Sequence, residues 1–284
     1  MKYHLKLILL IGAFFSYDSF AQTDLNGQWQ GMMQQDGSTS VSIIYLEIVQ
    51  DGENLSGFTK QEFPNTNNYI YYSIIGNTAN SISQKNAISK QINSSQINCK
   101  YDFTLTYDGE SGYLKGEYKS SSCRGIQGKV ILYQSETKQN LSEKKASSQE
   151  WFDFFITDLK KGRKSPQKRE MERKNFKFRP IYFEYDKNDI NPKDYEYLKE
   201  MARIVDGHSD LRIKITGHTD GDGSDRYNDE LSKRRAKAIK DFFLKCDIED
   251  FKLVIDYKGK RMPVGDNRTP EGMHDNRRVD FKFI

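Results

Sequence analysis

Asp220 and Arg235 stand out as a carboxylate and a guanidinium placed for recognition. They close the two ends of a stretch running Thr219-Asp220-Gly221-Asp222-Gly223-Ser224-Asp225, then Tyr227-Asn228-Asp229-Glu230-Leu231-Ser232-Lys233-Arg234-Arg235. The first part is a glycine-rich turn after a predicted strand, and the second opens a predicted helix. At 100° per residue from Leu231, the residues Ala238, Ile239 and Phe242 form an apolar stripe, and Arg235 falls in its middle. A guanidinium on a buried face is costly unless paired. Arg235 therefore calls for an internal acidic partner, Asp220 or Asp225, or for a ligand that supplies a carboxylate.

Asp186 and Asp220 each follow the C-terminal end of a predicted strand, where ligands sit in open α/β sheets. The turn also leads into a helix N-terminus, which favours anions. One place thus offers carboxylates for an ammonium, and a guanidinium with backbone amides for a carboxylate. That suits an amino-acid head group carrying both charges. It suits nucleotide phosphate poorly, because Asp220, Asp222 and Asp225 would repel it. The run from Asp220 fails as a calcium loop: its sixth position is Asp225 where glycine is needed, and its twelfth is Leu231 where glutamate is needed. His4, His208, His218 and His274 lack metal-ligand spacing, no cofactor motif occurs, and no poised nucleophile or acid suggests an enzyme.

The elements that position these groups alternate strand and helix over residues 176–284. Ile181, Phe183 and Tyr185 alternate as a strand. Asn191-Pro192 opens a helix with the stripe Tyr195, Leu198, Met201, Ala202 and Val205, closed by Gly207. Leu211 to Ile215, Leu253 to Tyr257 and Val279 to Phe283 alternate as further strands, with a second helix from about Arg226 to Leu244. The order is βαβαββ, a two-layer sheet with helices on one or both faces.

Residues 22–136 read as all-β. Short runs rich in β-branched and aromatic residues (41–49, 69–75, 101–107 and 129–133) are separated by Asp-Gly and Gly turns, giving a barrel or a sandwich. The opening Gly27-Gln28-Trp29 resembles the first strand of lipocalin-like barrels. A membrane-spanning barrel is not expected, because residues 77–98 are too polar to supply lipid-facing strands. The class is therefore α+β: an all-β barrel or sandwich, a linker over 137–175, and an α/β unit. Within the linker, Trp151, Phe154, Phe155 and Leu159 lie at helical spacing, and that helix is expected to dock on a domain.

Residues 1–21 read as an export signal, with Lys2 and Lys6 before an apolar run and Ala21 at the cleavage position. No transmembrane segment is then expected in the mature chain. In an oxidising compartment Cys99 and Cys123 are expected to pair, leaving Cys246 as a buried helix-end thiol. The net charge is +4. Its excess falls in residues 137–175, not on a folded face, which argues against nucleic acid as a partner. That basic run reads chiefly as a solvated connector.

Four blocks carry a family resemblance: Ile181-Tyr-Phe-Glu-Tyr-Asp186, Gly217-His-Thr-Asp220, Tyr227 to Ala236, and Asn276-Arg-Arg-Val279. They resemble the OmpA-like peptidoglycan-binding domain of outer-membrane protein A, peptidoglycan-associated lipoprotein and the flagellar stator protein MotB. The resemblance implies that Asp220 holds the ammonium and Arg235 the carboxylate of diaminopimelate in the peptide stem. It places Tyr185, Asp186, Thr219, Asn228 and Leu231 along the same site, His218 as a residue that orients the turn, and Arg278 as a brace of the sheet. It further implies a non-catalytic periplasmic protein of a Gram-negative envelope, associated with the outer membrane and cell wall. Its β domain would contact other outer-membrane or envelope proteins. The alternative is a small-ligand carrier, with an aromatic pocket in the β domain and the C-terminal unit as a tether.

Overall fold

A computed structural model describes residues 24–77, 81–91 and 99–284. The export-signal reading of residues 1–21 lies outside them, as does part of the polar 77–98 stretch. The chain divides into two compact units after Lys168.

The first unit decides between barrel and sandwich: eight antiparallel strands close on themselves in sequence order. They are β1 (Gly27–Gln35), β2 (Val41–Asp51), β3 (Asn54–Glu62), β4 (Tyr69–Asn77), β5 (Ser81–Gln91), β6 (Tyr101–Asp108), β7 (Tyr113–Ser120) and β8 (Gln127–Gln134). Strand alternation sends Trp29, Ile44, Leu46, Ile74, Phe103, Leu105, Leu114 and Leu132 to one shared interior cluster. The alternate positions Asp102, Thr104, Glu117, Lys119 and Lys129 line a polar surface across β6, β7 and β8. Over these three strands an apolar interior lies beneath a charged patch, the reverse of a membrane-spanning barrel, whose lipid face must be apolar. Cys99 and Cys123 are joined by a disulfide, the pairing expected from the sequence.

The outer wall of the barrel also carries apolar residues, on β1, β2, β4, β7 and β8, and this changes the reading of the following segment. Leu141, Phe152, Phe155 and Ile156 are buried in a second cluster with Met32, Ile43, Tyr45, Tyr69, Tyr71, Tyr113, Ile131 and Tyr133. The helix α1 (Trp151–Lys160) carries three of these residues and docks on the barrel wall. Much of the expected connector is thus a strap belonging to the barrel unit. It also covers a buried ion pair, Lys60 to Glu62 at 3.3 Å. The Lys60 ammonium donates to the carbonyls of Lys145 (2.6 Å) and Glu143 (3.3 Å), and Glu62 accepts from the Ser147 amide. The basic run continues as α2 (Pro166–Asn175), which has no buried residue.

The second unit has a four-stranded sheet in the order β11-β10-β12-β9. Its strands are β9 (Ile181–Tyr182), β10 (Ile213–Gly217), β11 (Leu253–Tyr257) and β12 (Arg278–Phe283). β10 runs parallel to β11 and antiparallel to β12. Helix α3 (Tyr195–Gly207) and helix α4 (Asp225–Lys245) pack one apolar face, where Leu198, Met201, Ala236, Ile239 and Phe243 meet Ile213, Ile215 and Val279. Lys214 and Asp256, on the other face, form an ion pair at 2.8 Å. Asn191 accepts from the Lys193 amide to open a 3-10 turn at Pro192–Asp194, and α3 follows. Strand β9 is shorter than its alternation suggests. After Tyr182 the chain turns, with the Lys187 amide donating to Glu184 and Asp186 in the left-handed region at φ 57°. Cys246 caps α4 and is half-buried against the core. No helix of the described residues is long and apolar enough to cross a membrane.

Candidate ligand-binding site

The end of β10 and the start of α4 are held unusually close. A β-carbon on Gly217 would lie 2.0 Å from the Ser232 carbonyl oxygen, so only glycine fits. Ser232 completes the join, accepting from the Gly259 amide and donating to the Asp229 carbonyl. Ser224 accepts from the Tyr227 amide and caps α4. Asn228 donates to the Asp222 carbonyl at 2.7 Å and fixes the intervening turn. The Gly221 amide donates to Asn267, which also receives the side chain of Asn276. Three loops therefore meet at the carboxyl end of β10.

Arg235 enters this junction from α4 and is fully buried. Its Nε donates to the Lys187 carbonyl (2.9 Å), Nη1 to that of His218 (2.9 Å) and Nη2 to that of Glu184 (3.1 Å). The guanidinium carbon lies 5.3 Å from the Phe183 ring centroid. Backbone carbonyls thus meet the need for a partner that helical phase exposed; neither Asp220 nor Asp225 forms its salt bridge. Burial pushes its pKa down to about 10, opposed by Asp220 and Asp186 and reinforced by Arg277. A guanidinium has five N–H donors, so two on Arg235 have no described acceptor.

Asp220 is 5% exposed, and its carboxylate accepts from Arg277 Nη1 at 3.1 Å. Arg277 also donates through Nε to the Phe183 carbonyl at 3.2 Å. Asp220, Arg277, Asp186 and Arg235 form one cluster of balanced charge. Arg277 was visible in the sequence only as half of an Arg-Arg pair. The signal lay in its place one residue before β12, whose first residue, Arg278, is committed to the sheet. Arg278 pairs with Asp280 at 3.0 Å, and His218 Nε2 lies 3.3 Å from the same carboxylate.

The other expected positions divide by exposure. Tyr185 is 61% exposed, and Asp186 is exposed and hydrogen-bonded by the hydroxyl of Tyr227. Both lie on the outer side of the junction. Thr219, Asn228 and Leu231 are buried beneath it. The Thr219 amide donates to the Gly259 carbonyl at 2.9 Å, while its hydroxyl has no partner. The arrangement places the Asp220–Arg277 ion pair at the carboxyl end of β10, with the fully buried guanidinium of Arg235 behind it.

Comparison with known proteins identifies the unit that carries this junction. The family model described as OmpA family matches residues 182–277. The C-terminal unit is an OmpA family domain. The chain is 35% identical over 102 residues to the peptidoglycan-associated lipoprotein of Pseudomonas aeruginosa, covering 36% of this chain and 60% of that one. It is 31% identical over 103 residues to outer membrane protein A of Bordetella avium, covering 36% and 53%. Among solved structures, the peptidoglycan-associated lipoprotein from Burkholderia pseudomallei is 26% identical, covering 37% of this chain and 90% of that one, with a TM-score of 0.37. The chain thus spans less than two thirds of the length of the curated relatives it matches.

Proposed function

We propose that this is a non-catalytic envelope protein that binds peptidoglycan through its OmpA family domain. The diaminopimelate of the peptide stem is the ligand, with Asp220 taking its ammonium. The barrel, and with it the outer membrane or a further envelope protein, is thereby anchored to the cell wall from the periplasm. The observation that carries this is the charge-balanced cluster at the end of β10, with Asp220 beside Arg277 and Arg235. Such a cluster accepts a zwitterion without leaving a buried charge unpaired. The relatives named for peptidoglycan association support the same ligand class. Hydrolysis of the wall would need a poised acid or nucleophile, whereas Asp220 is committed to an arginine.

The carrier alternative would need an aromatic-lined cavity in the barrel. The interior cluster counts against it: Trp29, Phe103, Tyr101 and Tyr118 are packed together, none more than 7% exposed, and a ligand-sized void would show as accessible surface on its walls. The test is co-sedimentation of the disulfide-bonded chain with diaminopimelate-containing sacculi. The chain is expected in the pellet and Asp220→Ala in the supernatant. Wild-type protein remaining in the supernatant would overturn the proposal.

A further inference from the structure

We propose that the outer side of the strap helix α1, with the basic turn that follows it, is a docking surface for a bilayer bearing anionic phospholipids. The surface is separate from the junction at the end of β10 and gives the barrel unit its own hold on a membrane.

Helical spacing grouped Phe154 with Trp151, Phe155 and Leu159 as residues that dock. The structure divides them. Phe152, Phe155 and Ile156 are buried against the barrel wall, whereas Phe154 lies on the other side of α1 and is 74% exposed. Lys161 follows two turns along that same outer side, with Thr157 between them. The Thr157 hydroxyl donates to the Asp153 carbonyl at 2.9 Å, so its polar atom is satisfied within the helix. A single exposed phenylalanine is ordinary; what distinguishes Phe154 is the charge beside it.

Residues 160–174 hold eight basic and two acidic side chains. Lys160 and Lys161 are exposed, and neither has an acidic partner among the described residues. Of the two acids on α1, Asp158 is taken by Arg163 at 3.1 Å, and Asp153 lies two turns before Lys160. The turn is also held in place. Gly162 adopts φ 64°, and the Arg163 amide donates to the Asp158 carbonyl at 2.9 Å. The Tyr113 hydroxyl donates to the Arg163 carbonyl at 3.1 Å, and the Ser165 amide to that of Ser111 at 2.7 Å. The lysines are thus mounted on the barrel unit rather than on a loose tail. Helix α2, taken by itself, repeats the pattern: Met171, 55% exposed, has Lys168 and Lys174 three residues to either side.

An apolar ring set among unpaired lysines fits a surface that is negative outside and apolar beneath. Phosphate headgroups meet the ammonium groups, while the lysine stems and the phenyl ring reach the acyl boundary. Clusters of basic side chains on or beside an amphipathic helix mark such surfaces. A soluble anionic polymer would meet the charges but offer Phe154 nothing.

The experiment floats the full disulfide-bonded chain with vesicles of phosphatidylethanolamine and phosphatidylglycerol, against vesicles of phosphatidylcholine alone, and titrates it with soluble polyphosphate. The chain is expected to float with the anionic vesicles only. It should be released as salt rises from about 0.1 M to about 1 M, where the screening length falls from ~10 Å to ~3 Å. Each lysine at such a surface is worth about fivefold, so Lys160→Gln combined with Lys161→Gln should weaken binding about twentyfold. Phe154→Ser should weaken it about tenfold with an unchanged melting temperature, because the ring is not part of the core. Wild-type binding by the double lysine variant, or equal binding to neutral vesicles, would overturn the proposal. So would unchanged vesicle binding by Phe154→Ser together with polyphosphate bound as tightly as the vesicles, which would put a soluble polyanion in place of the bilayer. Asp220→Ala should still float while failing to sediment with sacculi, and the double lysine variant should do the reverse, so the two sites fail independently.

Discussion

Each unit of this protein buries a large cation, and the two are satisfied in opposite ways. Lys60, on the barrel wall, has its carboxylate partner Glu62 on the same strand and the strap's carbonyls above it. Three ammonium protons face at least that many acceptors, and the side chains of both partners are 1% exposed or less. Arg235 takes three carbonyls, yet two of its donors remain, and a carboxylate lies close by in the grip of a second arginine. The first centre is closed and holds a strap in place. The second holds loops in place while keeping an exchangeable ion pair at its edge. A buried charge alone does not mark a site; donors and counter-ions that could be exchanged for a ligand's do.

The largest effect that would test this contrast is at Lys60. Lys60→Met leaves Glu62 buried without a counter-ion and should destabilise the barrel by about 3–5 kcal/mol. Adding Glu62→Leu should recover most of it. Both tryptophans of the chain, Trp29 and Trp151, lie in the barrel unit, so urea unfolding followed by tryptophan fluorescence isolates that loss. An unshifted midpoint for Lys60→Met would mean that the strap is not fastened there. Reducing the Cys99–Cys123 bridge should cost the same unit about 3.5 kcal/mol on loop-closure entropy, with the fluorescence midpoint falling accordingly. In the other unit, Arg235→Ala orphans three carbonyls and should cost about 3 kcal/mol. Far-ultraviolet circular dichroism should report the loss while the fluorescence transition stays put; a shift in fluorescence would contradict the assignment.

The smallest expected effect is one of pH. Burial would raise the Asp108 pKa, but hydrogen bonds from Lys115 and Ser111 outweigh it and bring the value down to about 2. A depressed carboxylate stabilises the fold above its unfolded pKa of about 3.9 and loses that contribution as pH falls through the folded value. The window is therefore from about pH 4 to about pH 2. Because the pair is partly solvated, the contribution should stay under about 1 kcal/mol. Asp108→Asn should flatten that part of the acid unfolding curve, and an unchanged slope would remove Asp108 from the account.

Much of the OmpA family domain was legible in the sequence because its signals are local. Caps, strand alternation and helical phase each involve residues a few positions apart, and phase alone exposed Arg235 as buried. What supplies its partners was not legible. Backbone carbonyls carry no sequence signature, so Glu184, Lys187 and His218 could serve Arg235 whatever their side chains. Arg277 was hidden because its pairing with Asp220 joins chain segments that only the folded sheet brings together. In the barrel, the alternation rule misled in one respect. A strand facing water on one side should alternate, yet Ile43-Ile44 and Ile131-Leu132 are apolar on successive residues and buried on both faces. Such runs announce a covered outer wall. Followed through, they point to the aromatic helix at 151–160 as the cover.

That strap follows β8 in the chain, and this fixes an order of events during synthesis. All eight strands are made before the segment that shields their outer aromatic face. Until about residue 160 has emerged, Tyr45, Tyr69, Tyr71 and Tyr133 form an uncovered patch, the kind of surface that makes partly made chains associate. A fragment ending at residue 136 would hold that condition permanently. Its aggregation would report a missing cover, and the barrel's proper C-terminal boundary lies beyond α1.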